Sequence, residues 1–194
     1  MTPNNSLAPP WSVSQWFNAP TPPTLEDLRG RVVVLHAFQM LCPACVSHGL
    51  PQALRVHQFF APRDLVVLGL HTVFEHHAVM GPEALRAFLH EYRIPFPVGV
   101  DQADGRKGIP ATMRAYGLRG TPSLVVIDRQ GRVQFTHLGL VEDLQLGALL
   151  ATLVAARAGL GQPLGQETVG AGVVVVPASA ALGSCQDGAC PLPQ

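Results

Sequence analysis

Two cysteines separated by two residues, Cys42-Pro43-Ala44-Cys45, stand where an apolar run gives way to a helical stretch. That spacing suits disulfide exchange. The thiolate is the nucleophile of such a reaction, and a Cys in the first turn of a helix has free backbone N–H groups and the positive end of the helix dipole to favour its charge. Cys42 takes that position. Cys45, one turn further on, is within reach to attack a mixed disulfide held on Cys42, closing a Cys42–Cys45 bond and releasing a reduced substrate. Cys45 is therefore expected to be the more buried, resolving partner. A zinc half-site and a pair of inert core thiols are the other readings of two such cysteines. His48 lies close by in sequence, but a helix leading straight out of a strand is not a zinc knuckle.

Two further cysteines, Cys185 and Cys190, lie near the C-terminus in Ser-Cys-Gln-Asp-Gly-Ala-Cys-Pro. A dithiol on a tethered arm enjoys a high effective concentration near the domain that carries it, so this pair is expected to relay electrons between Cys42–Cys45 and a partner. A stable tail disulfide, a soft-metal site and thiols without a role are the alternatives. His71, His76 and His77 with Glu75 make a loose cluster that reads as a solvated loop, and no metal site is expected there.

These residues need a scaffold that alternates strand and helix. Residues 31–38 (RVVVLHAF) form a β-branched apolar run, followed by a helix from the first cysteines to residue 60, with Pro43 in its first turn and Pro51 kinking its middle. Leu65–His71 is a second buried strand. Residues 82–92 carry Leu85, Phe88 and Leu89 at the spacing of an amphipathic helix. A short strand is expected over 96–100, a brief helix over 111–116, and a hairpin of Ser123–Ile127 with 132–137 around Asp128-Arg129-Gln130-Gly131, whose Gly suits a positive φ. A long Leu/Ala helix over 142–158 closes the order. The result is an α/β fold, a mixed central sheet with helices on both faces.

The chain has 194 residues, enough to bury one core without staples, and prolines and glycines gather at its ends. Residues 1–24 are read as a Pro-rich extension that Trp11, Trp16 and Phe17 could pin to the body, 25–158 as the domain, and 159–194 as a Gly/Ala/Pro-rich tail. Thirteen basic and thirteen acidic side chains cancel, and the single Lys107 and the arginines are scattered, which speaks against a nucleic-acid partner. The apolar runs are too short to span a membrane. The N-terminal residues MTPNNSLAPPW show neither a basic region nor an apolar core of a signal peptide, so a cytoplasmic location is expected.

The strand VVVLHAF before CPAC, the segment Tyr116-Gly117-Leu118-Arg119-Gly120-Thr121-Pro122-Ser123 and the strand-turn-strand LVVIDRQGRV together resemble the thioredoxin superfamily, in particular its TlpA/ResA-like thiol-disulfide oxidoreductases and redoxin-type proteins. Residues 75–101 resemble the strand-helix insertion of that branch. The resemblance covers roughly residues 25–158 and implies a thioredoxin-like fold whose activity needs no cofactor. It implies protein disulfides or dithiols as substrates and a thiol electron donor as partner. It makes Pro122 the cis-proline beside the cysteines, with Thr121 offering its backbone to an extended substrate strand by β-augmentation and Leu41, Pro43 and Gly120 forming the rest of the substrate side.

Three positions depart from the family pattern. Leu41 stands where a Trp usually precedes the first cysteine, after Gln39 and Met40, so the rim is less aromatic. His36, six residues before Cys42, lies on the strand where thioredoxins place a buried carboxylate; a base that deprotonates Cys45 and a hydrogen-bonded core histidine are its two readings. Pro51 lies one residue further from Cys45 than in relatives, which suggests a looser first helix. Peroxiredoxins share the fold but carry a Thr three residues before their reactive Cys, where this chain has Gln39; peroxide reduction is therefore the second reading, and a metal-handling or adaptor protein the non-enzymatic one.

Overall fold

All seven residues of Val32–Phe38 (β2) are buried, which requires neighbours on both edges and cover on both faces. A computed structural model supplies them. It describes residues 6–105 and 108–156, all within one compact unit, Met1–Leu160. After β1 (Val13–Phe17) and β2 come a helical turn begun at Pro43, a π-helical stretch (Cys45–Gly49) and α1 (Leu50–Phe59). β3 (Leu65–His71), a 3₁₀ turn (His77–Val79), α2 (Pro82–Glu91), β4 (Val98–Asp101) and α3 (Ala111–Ala115) follow, then β5 (Ser123–Ile127), β6 (Val133–Leu138) and α4 (Asp143–Ala155).

The six strands form one sheet in the order β1-β4-β3-β2-β5-β6. β2 pairs in parallel with β3 and β3 with β4, while β1, β5 and β6 run antiparallel to their neighbours. The alternation of β2 divides the core. Val32, Val34 and Phe38 join Leu50, Ala53 and Val56 of α1, Leu85 and Leu89 of α2 and Leu146 and Leu150 of α4 on one face. Val33, Leu35 and Ala37 join Leu28, Met113 and Leu118 on the other, where Trp11 and Trp16 also pack. The thioredoxin-like α/β architecture read from the sequence is the one observed.

Two details differ from the sequence reading. No strand was expected before residue 31, yet Val13–Phe17 pairs with β4 as the edge strand. Its residues alternate too weakly to announce a strand, and it is the docking of Trp11 and Trp16 that brings it to the sheet; Trp11 Nε1–H also donates to the Pro23 carbonyl at 2.9 Å. The first helix is not simply kinked at Pro51. Proline has no N–H for the carbonyl four residues back, and the chain widens just before it: the Leu50 N–H reaches the Cys45 carbonyl, five residues away. Cys185 and Cys190, and the tail that holds them, lie outside the described residues.

Candidate functional site

The cysteines sit at the C-terminal end of the central strand, the place where open α/β sheets present their loops for chemistry. The chain leaves β2 through Gln39, whose carbonyl accepts the Cys42 N–H at 3.2 Å, and turns into the helix at Pro43. The Cys45 N–H donates to Cys42 Sγ at 3.3 Å, so a helix-start amide points at the sulfur and supports negative charge there. Cys42 is partly exposed and Cys45 is 0 % exposed; both are free thiols.

The second wall comes from the loop before β5. The Thr121–Pro122 peptide is cis, and the Thr121 carbonyl lies 3.6 Å from Cys42 Sγ. Ser123 Oγ–H donates to the Gly120 carbonyl at 2.8 Å, and the Gly139 N–H donates to the Pro122 carbonyl at 2.8 Å, which ties this loop to the end of β6. Exposed Leu41 stands beside Cys42 in the chain, and exposed Leu138 lies against Gly120.

Burial and the neighbouring Cys42 sulfur push the Cys45 thiol up to about 12, against hydrogen bonds from the Gln39 backbone and the Thr121 side chain that favour its thiolate. His36 is also buried, and desolvation holds its imidazole down at about 4. Its ring lies under Gly49: a β-carbon placed there would sit 2.6 Å from His36 Cε1 and 3.3 Å from Pro122 Cβ. His36 Nε2 has no hydrogen-bond partner among the described residues. Burial thus disfavours the charged form of both groups, the imidazolium of His36 and the thiolate of Cys45.

His48 is exposed, its Nδ1 hydrogen-bonded to Ser47 Oγ at 2.6 Å. Of the histidine cluster, His71 is buried against Phe38 while His76 and His77 are exposed. No group of three or more His, Cys, Asp or Glu side chains among the described residues is placed to hold a metal ion. The residue that sequence reasoning passed over is Gln39. It is 1 % exposed, and its side-chain amide binds the loop after β3. The only signal for it was a single amide inside an otherwise apolar run.

A partly exposed thiol at a helix start, a buried thiol one turn on and a cis-proline loop are thus brought together at one end of the sheet. The chain belongs to the Redoxin family, whose model matches residues 3–148. It is similar to a solved thioredoxin-like superfamily protein (55 % identity, TM-score 0.75, 81 % of this chain and 99 % of that one). It is also similar to a thiol-disulfide isomerase from Corynebacterium glutamicum (47 % identity, TM-score 0.75, 78 % of this chain and 97 % of that one). Among curated proteins it is 26 % identical over 121 residues to the thiol:disulfide interchange protein DsbE of Pseudomonas aeruginosa, with 62 % of this chain and 58 % of that protein covered. It is 30 % identical over 128 residues to NHL repeat-containing protein 2 of Gallus gallus, with 64 % of this chain and 16 % of that protein covered. The chain thus spans little more than half of one relative and a small part of the other. Among the described residues, no helix is long and apolar enough to cross a membrane.

Proposed function

We propose that this chain is a thiol-disulfide oxidoreductase that exchanges the Cys42–Cys45 dithiol or disulfide with protein substrates. One observation carries the reading. Cys42 Sγ, the accessible sulfur, receives the Cys45 N–H and faces the Thr121 carbonyl at 3.6 Å, while Cys45 is closed off behind it. The first atom to meet a substrate disulfide is then Cys42 Sγ. Its thiolate forms a bond to one substrate sulfur, and the other leaves as thiolate and takes a proton. Cys45 gives up its proton, which the departing substrate sulfur takes, as it attacks Cys42 Sγ, forms the intramolecular disulfide and expels the second substrate thiol. Two electrons pass to the substrate, and an external dithiol restores the pair.

Thr121, beside the cis bond, is the proposed backbone partner of an extended substrate segment, with Leu41, Pro43 and Gly120 completing the contact. The names of the thiol-disulfide isomerase and the interchange protein among its relatives agree with this chemistry. Cys185 and Cys190 extend the proposal as a relay that carries electrons to or from Cys42–Cys45.

The test is insulin reduction driven by dithiothreitol together with trapping. Cys42→Ser is expected to abolish turnover, and Cys45→Ser to accumulate a mixed disulfide through Cys42 with a protein substrate. Full turnover by Cys42→Ser refutes the reading. Cys185→Ser/Cys190→Ser tests the relay, which fails if turnover with a protein disulfide is unchanged.

A further inference from the structure

Arg86 and His90 stand one turn apart on the same face of α2, and Arg93 follows just past the end of that helix. Together with Trp16, Asn18 and Pro95 these three side chains line a cleft of about 660 Å³, a size usual for small-molecule sites. The cleft lies between the end of β1 and the segment that enters β4. It therefore opens at the N-terminal end of the parallel strands, the opposite end from Cys42 and Cys45.

Two left-handed residues fix its walls. Past α2 the Arg93 N–H donates to the His90 carbonyl at 3.1 Å and the Ile94 N–H to the Leu89 carbonyl at 3.0 Å, which closes the helix with Arg93 at the left-handed position, φ 51°. Glycine is the usual residue there, because a β-carbon is strained at such an angle, yet this chain has an arginine. Asn18 is left-handed as well, φ 55°, and its Nδ2 donates to the carbonyls of Ile94 at 2.7 Å and Phe96 at 3.3 Å, tying the opposite wall to the same segment.

A strained position occupied by a charged side chain calls for a gain elsewhere. The fold itself gives Arg93 none: no hydrogen bond or ion pair joins its guanidinium to another described residue. Arg86 is held over the Phe17 ring, its guanidinium carbon 5.2 Å from the centroid, and Glu83 meets it at 3.6 Å through Nε rather than through the terminal nitrogens. Among the described residues that line the cleft there is no Asp or Glu. The result is a preformed hollow with two guanidinium groups on one side and an indole and a proline ring in the rest of its lining.

We infer that this cleft binds an organic anion with a flat ring, its phosphate or carboxylate received by Arg86 and Arg93 and its ring laid against Trp16 and Pro95. The site is separate from the dithiol, and the inference does not rest on the exchange reading.

The experiment uses the full chain carrying Trp11→Phe, which leaves Trp16 as the single tryptophan. Its emission is followed at about 0.15 M ionic strength during titration with phenyl phosphate, benzoate and the neutral benzyl alcohol. A saturable change is expected with the anions, half complete at about 1 mM as suits so small a ligand, and at least about tenfold weaker binding of benzyl alcohol. Saturation by either anion upholds the inference, and the tighter of the two identifies the anionic group. Saturation by neither below about 20 mM overturns it, as does benzyl alcohol binding as tightly as the anions, which makes the cleft merely apolar. Arg93→Gly separates binding from folding: glycine suits the left-handed position, so Tm is expected to hold or to rise by about 2–4 °C while affinity for the anion falls about tenfold. Arg86→Gln is expected to weaken binding to a similar degree, and Arg119→Gln, at an exposed arginine on the loop before β5, to leave it within about twofold. An Arg93→Gly variant that binds as tightly as the parent overturns the inference, and so does an equal loss in Arg119→Gln, which would trace the binding to net charge instead of to the cleft.

Discussion

Gly49→Ala is a small change with a large expected consequence, because Gly49 has helical backbone angles (φ −62°, ψ −52°) but no room for a methyl group. On an open helix the substitution stabilises by about 0.5–1 kcal/mol, since glycine loses the more backbone freedom on folding. Here the new β-carbon would lie 2.6 Å from His36 Cε1, 2.8 Å from His36 Nε2 and 3.3 Å from Pro122 Cβ. Neither neighbour is free to yield. His36 is buried and stacked on Phe38 with ring centroids 6.2 Å apart, and the Pro122 carbonyl is held by the Gly139 N–H. Overpacking of this kind costs about 1–3 kcal/mol. The difference is a net loss of about 1 kcal/mol, or a Tm lower by about 2–4 °C. His36→Ala removes the obstacle, at the cost of a cavity, and in that background Gly49→Ala should become stabilising by about 0.5–1 kcal/mol. A double-mutant cycle by urea unfolding reads the coupling directly, and about 2 kcal/mol is expected. If Gly49→Ala changes stability equally in both backgrounds, the contact between the π turn and the imidazole does not carry the energy assigned to it.

Three other outcomes follow from the buried polar groups and the thiols. Desolvation lowers both His36 and His71 from 6.5 to about 4, so the unfolded chain takes up protons first as the pH falls. Stability is then fully present above about pH 6.5 and is lost between there and about pH 4, by up to about 3 kcal/mol per ring. Urea midpoints between pH 7.5 and 4.5 should fall, and less steeply in His71→Leu; a flat profile in the parent contradicts the burial argument. Asp101 accepts from the N–H groups of Thr112 and Met113 and from Thr72 Oγ1 at 2.8–2.9 Å, tying α3 to β3 and β4. Asp101→Ala leaves those donors buried and should lower stability by about 2–3 kcal/mol in thermal unfolding, whereas a change below about 0.5 kcal/mol would mean that water replaces the carboxylate. Alkylation with iodoacetamide should modify Cys42 well before Cys45, since Cys45 is 0 % exposed with a thiol pushed up to about 12. Mass spectrometry of the partly modified protein reads the order, and equal labelling of the two sites rules out the assignment of attacking and resolving sulfurs.

Much of the scaffold was legible because its signals are local. The run VVVLHAF announces a doubly covered strand, since no alternation survives when both faces are buried, and burial of all seven residues is what the fold shows. Leu65–His71 and Ser123–Ile127 were legible in the same way, each a short apolar run between turn residues. The placing of two thiols one helical turn apart, after a strand and with a proline between them, was likewise legible in four consecutive residues. The edge strand Val13–Phe17 was not legible, because its partner lies far along the chain in Val98–Asp101 and its own residues alternate weakly.

What the sequence by itself determined is the type of most elements, the edge strand and the π turn excepted, and the placing of two thiols one helical turn apart after a strand, both set by patterns within a dozen residues. Tertiary structure decided what surrounds that pair. The pairing of β5 with β2 brings the Thr121 carbonyl to Cys42 Sγ across the sheet. The docking of the π turn onto β2 lays Gly49 on His36, and the path of the chain after β3 delivers Phe74 and Glu75 to Gln39. Such contacts depend on register and on side-chain packing between segments that share no local pattern, and a buried amide or imidazole acquires its role only from the neighbours that folding places against it.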